Sequence, residues 1–361
     1  MFRFIHAADF HLDSAFGALT ARQAAARRRE SRELAFRLAN YVNSRGIELV
    51  LLAGDLFDSG SAFRETGEQL SAALGQMEAQ VFIAPGNHDW YGPGSPWRTV
   101  DWPENVHIFK TDAIEAVELP EKQLRVYGAG FTARHERPLL EGFRAKADGW
   151  TNLMVLHGDA TQAASPYNPI TPEQLAASGL AYLALGHIHQ ASGLLRCGST
   201  CYAWPGCAMG RGFDELGQKG AYLGRITDAG VQLDFLPLPG RKYEILRVDA
   251  GDDALAAVKA ALPERTQDDI YRVILTGEAA PVDLPALQAA LAPRFYAVAV
   301  RDETRPRKDL WQDAADDTLR GLFLQALKAQ YDAAQTEADR RRIALAARCG
   351  CAAMDGREAA E

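Results

Sequence analysis

A chain of 361 residues, 47% hydrophobic and 24% charged, is long enough for one large domain plus a smaller one and is neither disordered nor fibrous in composition. No apolar run approaches the ~18 residues a membrane helix needs. The opening Met1-Phe2-Arg3-Phe4-Ile5-His6 lacks the apolar core of a signal peptide, so a cytoplasmic protein without membrane contact is expected. A net charge of −8 argues against a general nucleic-acid coat protein, yet leaves room for a nuclease whose metal ions and local arginines offset it.

In chain order, the first apolar run (4–8) ends in Asp9-Phe10-His11. Over 20–44 a helix is predicted, because Leu34, Leu38 and Tyr41 recur at helical spacing and Gly46 closes the segment. Arg22, Arg27, Arg28, Arg29 and Arg32 are assigned to its other face, as a solvated surface or as a contact to a phosphate backbone. The run 49–53 leads into Gly54-Asp55, a helix follows at about 65–77, and the run 81–84 stops at Pro85-Gly86 to deliver Asn87, His88 and Asp89. This β-α-β-α-β order indicates a parallel sheet with helices on its faces. The loop 90–102 is rich in Gly, Pro and Trp; its aromatics either stack on a base or, the preferred reading, anchor the loop to the core.

Short strands are predicted at 106–109 and 124–127, and a helix near 137–146. The run 153–156 then ends in His157-Gly158-Asp159. Thr171-Pro172-Glu173 opens another helix, and the run 182–185 ends in Gly186-His187-Ile188-His189. Antiparallel strands are expected at 193–204, 220–226 and 231–238. Pro237-Leu238-Pro239-Gly240 marks a boundary, giving a catalytic domain at 1–240 and a small α+β accessory domain at 241–305. A helical segment at 306–348 carries an apolar stripe of Leu319, Leu322, Phe323 and Leu327, and a disordered tail is expected over 349–361. The five cysteines include no CxxC pair and are taken as reduced thiols rather than a zinc site. There is no GxxxxGK[ST] loop for a nucleotide phosphate.

Five strand ends thus deliver Asp9, His11, Asp55, Asn87, His157, His187 and His189: two carboxylates, one amide and four imidazoles. Loops beyond the carboxyl ends of parallel strands are where α/β sheets bind ligands. One ion seldom takes seven such ligands, whereas two ions sharing a carboxylate would. Oxygen and nitrogen donors without thiolate suit Mn²⁺, Fe or Zn²⁺. Two ions ~3.5–4 Å apart clamp the attacking and leaving oxygens of a phosphoryl group. His88 is left over, placed to protonate the leaving oxygen or to stabilise transition-state charge.

The set D-x-H, GD, GNHD, HGD and GHIH resembles the calcineurin-like metallophosphoesterase superfamily over roughly residues 1–240. The resemblance implies a four-layer β-sandwich flanked by helices, in α/β or α+β terms. It implies one metal on Asp9, His11 and His189, another on Asn87, His157 and His187, and Asp55 bridging them. It also makes His88 the catalytic histidine, paired with Asp89. Phe4 to Leu12 and Gly54-Asp55-Leu56-Phe57-Asp58 are similar to the SbcD-type DNA-repair exonucleases, and the stretch from Pro205 to Gly220, with Arg211 as a candidate substrate contact, to the YhaO-type branch. The resemblance therefore implies a DNA exonuclease, with endonuclease activity an option, acting through a hydroxide held by two ions, with Mn²⁺ preferred. The accessory domain would then cap DNA, and the terminal helix would dock an SMC-like ATPase or a second copy of the chain. A cyclic-nucleotide or other small phosphodiester hydrolase is the enzymatic alternative. A non-catalytic scaffold would have lost ligands, and none is lost here. Ser59 stands where protein phosphatases of the superfamily carry an arginine, and His6, His107 and His135 occupy no motif position.

Overall fold

The computed structural model describes residues 2–59, 62–306 and 309–355. Its first unit takes the chain up to Ile245 together with Arg265–Arg272 and Arg294–Val298. In chain order that unit contains β1 (Phe2–Ala7), α1 (Ala21–Ser44), β2 (Leu49–Leu52), α2 (Arg64–Gly75), β3 (Gln80–Ile83), α3 (Pro96–Thr99), β4 (Val106–Ile108), β5 (Glu115–Leu119), β6 (Leu124–Gly128), β7 (Thr151–His157), α4 (Pro172–Ala177), β8 (Tyr182–Gly186), β9 (Leu195–Cys197), β10 (Thr200–Ala203), β11 (Gly220–Thr227) and β12 (Gly230–Pro237). These strands form two six-stranded sheets, ordered β12-β11-β1-β2-β3-β4 and β5-β6-β7-β8-β10-β9. β1 to β4 are parallel, and so are β6, β7, β8 and β10.

The central strands are unbroken apolar runs because both of their faces are buried. Phe4, Leu49, Leu51 and Phe82 of the first sheet meet Leu124, Val126, Leu153, Val155 and Tyr182 of the second in the layer between them. On the first sheet's other face, Ile5, Val50, Leu52, Val81 and Ile83 pack with Leu34, Leu38 and Val42 of α1 and Leu70 and Leu74 of α2. The far face of the second sheet is covered by Leu139, Leu140, Ile170 and Leu175. Two sheets between outer layers form the expected flanked β-sandwich.

The layer over the second sheet is thinner than predicted, since no helix forms at 137–146. Pro138 interrupts the segment and Gly142 has φ 71°. Its N–H groups are claimed from outside: Leu139 donates to Asn168 Oδ1, Ala145 to the Ser178 carbonyl and Lys146 to the Tyr127 hydroxyl. Those three donors are lost to an i to i−4 ladder. The single strand expected at 193–204 is a hairpin of β9 and β10 turning at Gly198-Ser199, and the loop 90–102 contains the single turn α3.

α1 starts where the sequence suggests, with Thr20 and Gln23 forming a reciprocal capping box. The arginine face needs correction. Arg27 lies seven residues before Leu34, on the same stripe, and is fully buried, its guanidinium on Glu30 and the Gly210 carbonyl. Arg32 pairs with Asp13, and Arg28 donates to the Ala15 carbonyl. Arg22 and Arg29 remain exposed.

The second unit takes Leu246–Glu264, Val273–Pro293 and the chain from Ala299 on. The first unit thus runs past residue 240, and Tyr243, buried with Phe213 edge-on to its ring, explains why. The elements beyond 240 are β13 (Tyr243–Asp249), α5 (Ala254–Ala261), β14 (Ile270–Thr276), β15 (Glu278–Ala279), α6 (Leu284–Leu291), β16 (Ala297–Asp302), β17 (Arg305–Pro306), α7 (Leu319–Ala333) and α8 (Glu337–Met354). α7 and α8 form a helical hairpin in which a Cβ at Gly350 would overlap the Phe323 ring, so the helices lie close together there. That contact also corrects the tail: residues 349–354 are helical, and 356–361 lie outside the described residues. Leu324 and Ala347 are buried, while Leu319, Leu322 and Leu345 are exposed. Among the described residues no helix is long and apolar enough to cross a membrane.

Candidate metal centre

The carboxyl ends of β1, β2, β3, β7 and β8 meet at one place, and the backbone is bent hard to bring them there. Asp9, His11, Asp55 and His187 have φ of 53°, 44°, 51° and 103°, a region that costs a side-chain-bearing residue ~1–3 kcal/mol and that clusters at functional sites. The loops brace one another: Asp9 N–H donates to the Gly54 carbonyl, His11 N–H to the Asp55 carbonyl and His187 N–H to both Asp9 oxygens. Two glycines permit the approach. A Cβ on Gly86 would overlap the Asp55 carboxylate, and one on Gly186 the Ala53 carbonyl.

The ring nitrogens show what the centre is built to hold. His157 Nδ1 lies 2.9 Å from the Ala53 carbonyl and must donate to it, so Nε2 carries a lone pair. That lone pair faces Asn87 Oδ1 at 2.9 Å and Asp55 Oδ2 at 3.5 Å. His189 Nδ1 lies 2.8 Å from Glu215 and donates there, leaving Nε2 bare and 3.2 Å from His11 Nε2. His11 Nδ1 is 3.2 Å from Asp58 Oδ1, and its Nε2 is 3.8 Å from Asp55 Oδ2. His187 Nδ1 also approaches Asn87 Oδ1, at 3.2 Å. Acceptors aimed at acceptors repel unless a cation lies between them, so this donor set fits divalent cations.

Charge supports the same conclusion. Burial, and then the neighbouring Asp55, pushes the Asp9 carboxyl well above the usual range. Burial opposes ionisation of Asp55 too, but His157, His11 and His88 outweigh it and hold its pKa low. Burial lowers His11 and His157 and takes His187 down to about 4, which keeps the imidazoles neutral and able to ligate. The ligand atoms of Asp9, His11 and His189 lie within 4.8 Å of one another, as do those of Asp9, Asp55 and His157.

Two site residues sit differently from expectation. Asp89 does not pair with His88: its carboxylate is fully buried and accepts the N–H groups of Gly86, Asp55, Leu56 and Phe57. It ties the β2 loop to the β3 loop, although burial and then the charge of Asp55 raise its pKa to about 7. The partner of His88 is a backbone carbonyl, Asp58 O, 3.0 Å from Nδ1. Arg211 is not free for substrate. One edge of its guanidinium meets Glu215 at 2.6 Å and the other Asp58 at 3.1 Å.

Sequence reading gave no role to Asp58 or Glu215, although both lie in quoted motifs. Arg211 fixes both carboxylates, and they in turn orient His11 and His189. Burial disfavours the charge on Glu215, but His189 and Arg211 together hold it well below the usual carboxylate range. Glu215→Gln is therefore expected to weaken metal binding ~10–100-fold, the usual cost of losing a partner that aims a ligand. Calorimetric titration with Mn²⁺ checks this; unchanged affinity would make Glu215 a partner of Arg211 alone.

His6, His107 and His135 are held in structural contacts. His6 spans the sheets from the Tyr182 hydroxyl to the Leu185 carbonyl, with burial lowering its pKa to about 3. His107 pairs with Glu115 at the sheet edge, and His135 lies against Tyr167. None of the five cysteines is in a disulfide: the Cys197 thiol donates a hydrogen bond to the Pro172 carbonyl, and Cys201 and Cys207 are buried.

Residues 2–191 match the family model for calcineurin-like phosphoesterases. The chain is 31% identical over 310 residues to the uncharacterized metallophosphoesterase YhaO of Bacillus subtilis strain 168, a match covering 81% of this chain and 72% of that one. Among solved structures, TT1561 of Thermus thermophilus aligns at a TM-score of 0.41 and 10% identity, covering 64% of this chain and 98% of its own. GAP50, the anchor in the inner membrane complex of Plasmodium, aligns at 0.41 and 12% identity, covering 73% and 95%.

Proposed function

We propose that this chain, which belongs to the calcineurin-like phosphoesterase family, acts on DNA, cleaving phosphodiester bonds as an exonuclease at a centre of two divalent ions, with Mn²⁺ preferred. Family membership together with the His/Asp site makes it a metal-dependent phosphoester hydrolase. Bound ions would neutralise phosphate charge and activate water. The chain's own part falls to His88. With Nδ1–H committed to the Asp58 carbonyl, its Nε2 has no partner among the described residues and, when it carries a proton, is the group to give it to a leaving oxygen.

The observation that carries the diester reading is a pair of cavities, one bordered by Asn87 and His88 and the other by His189. One, of about 450 Å³, is lined by Asn87, His88, Trp90 and Arg134. The other, of about 730 Å³, is lined by His189, Gln190, Phe213 and Lys219. A monoester needs room for one substituent on phosphorus, a polynucleotide for two. The Mn²⁺-loaded protein, assayed on single- and double-stranded DNA beside cyclic nucleotides, should degrade DNA and spare the cyclic compounds. The reverse result moves it to a small-phosphodiester hydrolase. Hydrolysis of neither, with metal bound, leaves a scaffold.

An SMC-like ATPase is the partner this reading assigns to the helical hairpin, supported by the solvent-facing Leu319 and Leu322 on α7. Leu319→Glu with Leu322→Glu should leave thermal stability within ~0.5 kcal/mol of the native protein, as surface changes do. The same variant should lose co-purification with the ATPase. Loss of a dimer instead, seen by light scattering, would assign the face to a second copy.

A further inference from the structure

Most of the aromatic side chains in the loop after β3 have a partner. Trp97 is buried, donates its indole N–H to the Asp89 carbonyl and packs on Phe57 and Trp102. Tyr91 lies under the Arg98 guanidinium, 5.7 Å from its ring centre. Trp90 is different. It is half-buried, has no ring contact among the described residues, and lines the cavity that His88 also lines.

Two further features of that cavity point to a ligand. Arg134, exposed and with no ion pair among the described residues, lines it with Trp90. Gly92 lies against the edge of the indole, where a Cβ would meet its ring nitrogen, while Gly94, also in the lining, has open space around it.

We propose that this cavity seats a nucleoside attached to the scissile phosphate on its His88 side, with the base stacked on Trp90 and the next phosphate on Arg134. The volume, about 450 Å³, is in the range of small-molecule sites. An indole face accepts any base, so this seat selects nucleotides over other phosphodiesters without selecting sequence. Asp58, also in the lining, is held by Arg211 and His11, which offsets its repulsion of a phosphate. The inference deepens the nuclease reading and rests on it only for the length of the substrate.

The test is calorimetric titration of the full-length, Mn²⁺-loaded protein with deoxyadenosine monophosphate and with inorganic phosphate. The nucleotide is expected to bind at least ~10-fold more tightly than phosphate, the scale of one base stacked on one aromatic ring. Trp90→Leu should bring the two affinities together by weakening the nucleotide alone, and Trp90→Phe should retain most of the gap. Thermal melting of each variant confirms that it is folded, and Trp90→Leu keeps enough bulk to fill the wall. Equal affinities in the native protein, or a gap indifferent to residue 90, overturn the proposal. A gap that persists while DNA is inert keeps the seat and removes the nuclease; DNA cleavage without a gap does the opposite.

Discussion

Replacing His88 by alanine is expected to lower phosphodiester hydrolysis ~10²–10⁴-fold, the range for a lost general acid, while the protein's metal content stays at the native level. The expectation comes from how the ring is held. Nδ1 is used by the Asp58 carbonyl, and the backbone N–H of the same residue donates to Asp55 Oδ1 at 2.8 Å. Only Nε2 is left, and alanine removes it while keeping the backbone contact that fixes Asp55. The ring stands 4.8 Å from that of His11, and His88 also falls within ligating reach of His11 and Asp58. Metal content is therefore the measurement that separates an acid from a ligand. Inductively coupled plasma analysis showing loss of an ion from the folded variant would assign His88 to the metal.

Asp55→Ala is expected to act the other way round, emptying the centre and abolishing activity as a result. Asp55 Oδ2 is 3.8 Å from His11 Nε2 and 3.5 Å from His157 Nε2, one from each group of ligands. Losing it should reduce metal affinity by more than the ~10–100-fold that an outer partner costs. Asp55→Asn, which keeps an acceptor for the His88 N–H, separates bridging charge from loop geometry. Both variants should lose both ions together. Two ions at native occupancy in a folded Asp55→Ala protein would refute the bridging role.

The strand ends were legible because a parallel strand buried on both faces is written as an apolar run, and a ligand type directly after such a run stands out. β5 was not legible. Glu115-Ala116-Val117-Glu118-Leu119 is a largely exposed edge strand and carries charge instead of an apolar pattern. Arg27 was legible in principle, since its spacing from Leu34 places it on the buried stripe, but an arginine in a charge run suggests solvent. The helix at 137–146 failed partly for reasons written locally, Pro138 and Gly142, and partly for one that local sequence does not contain, since three of its donors are claimed by Asn168, Ser178 and Tyr127. Glu215 is the plainest case. It holds a histidine 26 positions earlier in the chain, and no spacing rule links one loop residue to a ligand on another loop.

The left-handed backbone at Asp9, His11 and Asp55 has a consequence for laboratory evolution. Glycine adopts that conformation freely, so substituting it at His11 relaxes the folded chain locally and deletes a candidate metal ligand in the same step, whereas at Asp9 and Asp55 it would also remove carboxylates that accept backbone N–H groups. A screen that rewards heat tolerance alone, with metal withheld, would thus favour an inactivating change at His11, because there backbone strain and chemistry compete for the same residue. Screening with the ion present and activity scored would turn the search toward positions such as the exposed leucines of α7.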